Sequence, residues 1–408
     1  MSHLHTSEAV TGTDDRSRPR AALPALCATQ ITSWGVVYYA FPVLNSRITA
    51  DTGWPATATT AAFSGALLIS ALTGIPVGRV LDRRGPRAVM TTGSVVGVTA
   101  VLAIACAPGL AAFTAAWLLA GVAMAATFYQ PAFAALTRWW GTDRVRALTA
   151  VTLAGGLAST AFAPLTATLA QHLGWRATYA VLALPLALVT IPAHALALRA
   201  PWPSVPRSAS RRDPRTGSVA RSRPFLMLAA ALTLNSFAMY AVVIALVPLL
   251  IARGASPTAA AWALGLGGAG QTLGRTLYAT LARRTGVTTR TVALIVLGGT
   301  TTAALATVSG PFPLLLGIAI AAGMVRGNLT LLQATAVTDR WGTSQYGRLS
   351  GLLAAPATIA SALAPFAGAA LAGPLGGYPH LFALLALVSV LGALAALAAT
   401  PPHKDPKP

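Results

Sequence analysis

The sequence predicts an all-α integral membrane protein: twelve transmembrane helices in two pseudo-symmetric six-helix bundles. Three observations carry that prediction. The 408-residue chain is 55% hydrophobic and only 9% charged, against about 25% charged for an average soluble domain. So few charges could not solubilise this much Ala, Leu and Val, and a chain this apolar does not stay disordered. Apolar stretches of about 20 residues, long enough to cross a bilayer, recur along the chain. Finally, the halves repeat. A single shift of 201 residues lays Tyr39 on Tyr240, Gly53 on Gly254, Gly85 on Gly286, Thr137 on Thr338, Trp140 on Trp341, Gly141 on Gly342 and Pro164 on Pro365.

Taken in order, the first bundle (22–200) holds spans over 22–46, 54–80, 88–107, 110–138, 147–171 and 176–199. The second (224–400) holds spans over 225–250, 257–282, 290–309, 312–338, 348–373 and 379–399. Internal Gly and Pro do not break this reading, because transmembrane helices tolerate both. Residues 1–21 and 401–408 read as cytoplasmic tails, and 201–223 as a cytoplasmic basic linker rich in Pro, Ser and Arg. A solvated loop accounts for that linker, although its basic cluster could also meet anionic lipid headgroups. The first twenty residues are polar, with no apolar h-region, so no cleavable signal is expected. Cys27 and Cys106 lie in apolar runs and read as buried small hydrophobes.

Loop charges set the expected orientation. Arg16, Arg18 and Arg20 precede span 1, and Arg83, Arg84 and Arg87 follow span 2. Arg144 and Arg146 follow span 4, six arginines lie in the linker, and Arg283, Arg284 and Arg290 follow span 8. The opposite loops hold only Arg47, Arg176 and Arg253. The positive-inside rule then puts both termini and the linker in the cytoplasm, in a multi-pass protein of the cell membrane.

Residues Gly78 to Arg87 read GRVLDRRGPR. Gly78, Asp82, Arg83, Gly85 and Arg87 match the signature of this loop in the major facilitator superfamily, which the chain resembles over nearly its whole length. Gly78 would let a neighbouring helix approach and Gly85 would make a tight turn. The resemblance implies alternating access by rocking of one bundle against the other. It also implies a latch in which Asp82 docks on the start of span 11, near Tyr346-Gly347-Arg348, when the inward side closes. A carboxylate at a helix N-terminus gains about 0.3–1 kcal/mol, a size suited to a reversible contact. The second-half copy, ARRTG at 282–286, has Arg283 in place of the acid, so only the first half should carry the latch. Trp34, Tyr38, Tyr39, Gly53-Trp54 and Gly274-Arg275 are similar to the monocarboxylate and oxalate/formate porter branch. Span 5 has Ala163-Pro164 where exporters of the family carry Gly-Pro, which weakens a drug-antiporter reading.

Parallel six-span repeats are also one of the two repeat plans of secondary transporters. Mid-membrane arginines are functional-site candidates, because each costs about 2.5–3.5 kcal/mol to insert. Arg326 falls near the middle of span 10, and Arg275, eight residues before Arg283, lies about 12 Å inside span 8, where partial snorkelling is possible. The acids, eight Asp and one Glu, all lie outside the spans. The resemblance puts spans 1, 4, 7 and 10 around the cavity, which adds Tyr38, Tyr39, Tyr129, Gln130, Asn235, Tyr240, Asn328 and Gln333; any of these could instead be helix–helix glue. The expected substrate site is Arg326, Arg275, Tyr39, Tyr129, Tyr240, Asn328 and Gln333. Arg326 could alternatively be satisfied by backbone carbonyls, or by Asn328 and Gln333.

Catalysis is excluded on inventory. HExxH, CxxC, paired carboxylates and GxxxxGK[ST] are absent, and both lysines lie in the tail. The expectation is a secondary transporter, functional as a monomer in the lipid bilayer, with no cofactor, no metal and no nucleic-acid partner. Its solute is a small organic anion such as a monocarboxylate, coupled to protons or a counter-anion. Drug or secondary-metabolite efflux, and a non-transporting receptor or scramblase, remain the alternatives.

Overall fold

The computed structural model describes residues 19–202, 219–341 and 346–399, and the regular elements in them are helical. Nine segments among the described residues are long and apolar enough to cross a membrane. Three local departures resolve them into twelve spans. Span 1 (residues 22–52) is divided by a π-helical turn at Gly35–Tyr39. The 54-residue segment Arg144–Ala197 folds back at Gly174, whose φ of 72° ends span 5 (144–173) and begins span 6 (175–197). Span 8 (Pro257–Arg284) is Gly-rich and carries Arg275, Arg283 and Arg284, which lower its hydropathy. The others are span 2 (Ala56–Arg84), span 3 (Pro86–Ala105), span 4 (Leu110–Trp140), span 7 (Arg223–Ala252), span 9 (Val287–Thr307), span 10 (Phe312–Thr335), span 11 (Tyr346–Ala372) and span 12 (Tyr378–Ala398).

The ends follow ordinary capping chemistry. Proline stands in the first turn of spans 3, 7, 8, 10 and 12, where its missing N–H costs nothing. Ser222 and Ser256 accept from Phe225 N and Ala259 N to cap spans 7 and 8. The repeat-aligned Gly53 and Gly254 follow spans 1 and 7 with φ of 70° and 86°, so the repeat extends to backbone conformation.

At the end opposite the basic loops, the three arginines are all engaged by helix termini. Arg47 donates to Ala170 O (2.6 Å), Arg176 to Ala105 O and Ala107 O (3.1 and 2.7 Å), and Arg253 to Ala306 O (2.9 Å). These carbonyls close the C-terminal ends of spans 5, 3 and 9, where acceptors are orphaned and the helix dipole is negative. The charge asymmetry between the two ends is therefore sharper than a count of arginines suggests. Of the cysteines, Cys27 is half-buried and Cys106 is exposed just past the end of span 3, which corrects the expectation of two buried thiols.

The bundles meet through spans 5 and 8 and through spans 2 and 11. Gln171 donates to Thr258, Thr160 to Gly265 O (2.8 Å), Phe366 N to Ser64 Oγ (3.0 Å), and Arg275 to Thr152 O. Burial along span 2 locates the seam. Thr59, Thr60, Ala62, Phe63, Ser64 and Ala66 are buried, whereas Leu81 is the only buried residue in 67–84. The halves are thus joined at the end remote from the basic loops and part toward the basic end.

The basic linker begins later than the sequence suggests. Trp202 is folded into the first bundle: its indole donates to Asp82 O (3.1 Å), and Arg138 lies 4.3 Å over its ring. Trp139 donates to Pro201 O (3.1 Å). Linker residues 203–218 and tail residues 1–18 and 400–408 lie outside the described residues.

Candidate functional site

A glycine-lined crossing of spans 8 and 10 builds the floor of the site. A Cβ on Gly323 would overlap the Gly267 carbonyl, one on Gly327 the Gln271 carbonyl, and one on Gly274 the Met324 carbonyl. Only glycine permits this backbone contact, which is the small-residue mode of helix packing in membranes. It sets Gln271 and Arg275, one turn apart on span 8, beside Arg326 on span 10. Both arginines lie nine residues from the basic ends of their helices, Arg284 and Thr335, or about 14 Å at 1.5 Å per residue. They therefore share one level. Arg326 is lower than the sequence suggests because span 10 stops at Thr335, short of 338, and is followed by a separate short helix, Thr338–Trp341.

Two irregular turns supply the aromatic wall. In span 1 the π-turn carries Tyr38 and Tyr39, and Phe162 fills the space a side chain on Gly35 would need. π-turns often mark functional sites. Span 4 breaks at Phe128 (ψ −160°), three residues before Pro131, and restarts at Tyr129. Gln30 donates to the freed Thr127 O (2.7 Å), and Trp34 stacks on Phe128 at 4.1 Å. The break leaves Tyr129 against Gly155, and its phenol interacts electrostatically with Arg275.

These elements enclose a cavity of about 120 Å³ between the bundles, with Tyr39, Tyr129 and Tyr240 in its wall and Gln271, Arg275 and Arg326 on its polar side. Tyr39 and Tyr240 are repeat partners, so the internal symmetry converges on the cavity. The arginines break it: a 201-residue shift takes Arg275 to Gly74 and Arg326 to Ala125. Arg275 is 6% exposed, so it points inward and does not snorkel. Its Nη1 donates to Thr152 O of the opposite bundle, while its Nε is buried with no partner. Arg326 donates from Nε to Gln271 Oε1 (2.8 Å), and its Nη2 is buried with no partner. Among the described residues, no Asp or Glu lines this cavity.

Two of the expected site residues lie elsewhere. Asn328 donates to Met324 O (3.0 Å) within its own helix, because two residues from Arg326 it is about 200° round the helix. Gln333 lies on the Arg326 face but two turns lower, and donates to Ser236 Oγ (2.8 Å). It lines a second hollow of about 150 Å³, which shares Tyr240 with the cavity and runs toward the basic end past Ser236, Thr358 and Ser361. Neither residue satisfies Arg326. Sequence reasoning missed Gln271, whose signal was its spacing one turn before Arg275.

At the basic end Asp82 accepts from Arg138 of span 4, within its own bundle. Gly85 makes the expected turn (φ 78°), Arg83 is exposed, and Arg87 donates to Ala195 O (2.9 Å). A Cβ on Gly78 would meet no described atom of another element within 4 Å, so the close approach expected there is not made in this conformation. The side chains of Tyr346, Gly347 and Arg348 lie outside the described residues. In the second bundle Arg290 donates to Asp339 Oδ2 (2.7 Å). Asp339 is the repeat partner of Arg138, but Arg290 aligns with Val89, and Arg283, which aligns with Asp82, donates to Thr280 Oγ1 instead (3.2 Å), so this ion pair is not a copy of the Asp82–Arg138 pair.

Comparison with known proteins agrees with this architecture. The model of the Major Facilitator Superfamily matches residues 26–306 and 226–408. Monocarboxylate transporter 13 of Bos taurus is 31% identical over 211 residues, 50% of this chain and 47% of the bovine one, so the match spans about half of that relative. A bacterial homologue of the human lysosomal transporter Spinster, solved inward-facing and unoccupied, superposes with a TM-score of 0.75 at 14% identity, covering 95% of this chain and 98% of that one. A mutant of the nucleoside transporter NupG gives 0.73 at 14% identity, with 94% and 100% covered. The chain belongs to the Major Facilitator Superfamily, and its fold is that of a multi-pass membrane protein.

Proposed function

We propose that the chain moves a small organic anion, a monocarboxylate, across the cytoplasmic membrane by alternating access, with both termini in the cytoplasm. One observation carries this reading: Arg275, buried, and Arg326, half-buried, lie at one level and each keeps one buried N–H without a partner, in a cavity with no acid among its described lining residues. Arg stays protonated in proteins. A carboxylate supplies the missing charge and matches the guanidinium fork, whereas a cation is repelled. The bovine monocarboxylate transporter match points the same way.

Binding is coupled to rocking through Arg275, which holds Thr152 O of the opposite bundle. A carboxylate arriving at that guanidinium competes with the carbonyl and loosens the span 5–span 8 seam. Without a carboxylate relay at membrane depth, the counter-movement is an exchanged anion or a proton carried with the substrate. When the basic end closes, Asp82 leaves Arg138 for the start of span 11. A thermal-shift panel of carboxylates, cations and sugars tests the proposal: stabilisation by monocarboxylates is expected, and stabilisation by cations alone overturns it.

A further inference from the structure

Arg326 faces two spaces. Behind it, inside the second bundle and apart from the central cavity, lies a chamber of about 40 Å³ between spans 7, 9, 10 and 12. One water needs about 10–15 Å³ on such a measure; the chamber is not sealed, but its volume suits one small ion with a water or two. Its polar lining is Arg326, Asn235, Thr301, Thr302 and Ser389; the remainder is apolar, with Val242, Val325 and Leu329 among it. Asn235 is 4% exposed and its Nδ2 has no acceptor, as is true of Arg326 Nη2. Both orphaned groups are donors, one of them charged. In so small a chamber a single particle meets both.

We infer that this chamber binds a halide ion, chloride in ordinary media, as the resident counter-ion of Arg326. A metal cation is excluded by the guanidinium and by the lack of any carboxylate in the lining. A neutral water could accept from both donors but would leave the charge of Arg326 uncompensated at membrane depth, where it is costly. A halide satisfies the donors and the charge together. The hydroxyls of Thr301 and Thr302 donate to Gly298 O (2.9 and 2.8 Å) and that of Ser389 to Leu385 O (3.0 Å). Such hydroxyls can rotate toward an ion. With chloride bound, Arg326 is held neutral overall between substrate arrivals. The inference shares the orphaned Arg326 Nη2 with the carboxylate reading, so chloride holds that group between substrates and yields it when a carboxylate engages Arg326; Asn235, which lines this chamber and not the central cavity, separates the two.

The test is thermal stability of the purified full-length protein, with chloride titrated against methanesulfonate at constant ionic strength and no carboxylate present. Methanesulfonate is too large for the chamber. Wild type should gain about 2 °C per tenfold rise in chloride above its dissociation constant, from the ligand term of stability; bromide should act likewise. Asn235→Leu should lose the chloride effect. Asn235→Asp supplies the anion covalently and should be as stable in methanesulfonate as wild type is in chloride. Arg275→Gln, altered only in the central cavity, should keep the effect. Equal stability of wild type in both salts overturns the inference and leaves water in the chamber. Loss of the effect in Arg275→Gln with retention in Asn235→Leu also overturns it, by locating the ion in the central cavity.

Discussion

Adding one methyl group where spans 8 and 10 touch should disarm the site without changing any polar residue. In Gly327→Ala the new Cβ would overlap the Gln271 carbonyl and stand 3.2 Å from the Arg275 backbone nitrogen. Neither atom is the end of a flexible side chain, so the helices must part. Overpacking of this kind costs about 1–3 kcal/mol, or about 1–4 °C in Tm for a chain of this length. The contacted backbone carries Gln271 and Arg275, so their spacing to Arg326 widens as well. Loss of one charge-assisted hydrogen bond, about 1.5–3 kcal/mol, weakens anion binding roughly 10- to 150-fold. Gly317→Ala is the control: it lies on the same helix with nothing within 4 Å, and should be neutral or stabilising by up to about 1 kcal/mol. Fluorescence-detected size-exclusion melts and monocarboxylate binding read the two effects. If Gly327→Ala matches Gly317→Ala in both, the crossing does not position the arginines.

Other perturbations test the orientation, the latch and the break in span 4. Exposed Cys106 should react with an impermeant maleimide added to intact cells, and a His172→Cys thiol likewise, whereas Thr289→Cys should not; labelling at 289 reverses the topology. Asp82→Asn should keep expression and fold, since the Asp82 side chain is 62% exposed and an ion pair at such a surface is worth about 0–1 kcal/mol, yet should cut flux; wild-type flux removes the latch. Gln30→Leu should cost about 1–3 kcal/mol by orphaning Thr127 O, and an unchanged melt refutes the role given to that hydrogen bond.

Span positions were legible because hydropathy, the repeat and loop charge reinforce one another; the helices differ from the expected spans mainly by running one or two turns further at some ends. Depth and azimuth were less legible. Reading span 10 to 338 raised Arg326 toward the midplane; grouping Asn328 with it ignored the 100° turn per residue, and grouping Gln333 with it ignored the two turns of depth between them. Gln271 escaped notice because the family pattern directed attention to spans 1, 4, 7 and 10, whereas the glycines of span 8 bring that helix to the cavity. The fold of Trp202 onto Asp82 and Arg138 left no signal in composition, since a Trp beside Pro-rich sequence reads as linker.

The central claim is that Arg275 and Arg326 together recognise a carboxylate, and the most direct measurement is monocarboxylate affinity in wild type, Arg275→Gln, Arg326→Gln and Arg326→Lys. Each Gln variant should lose about tenfold or more, the value of one charge-assisted hydrogen bond. Arg326→Lys should fall between, since it keeps the charge but not the fork. Unchanged affinity in both Gln variants, or tighter binding of an organic cation than of any carboxylate by the wild type, would contradict the account.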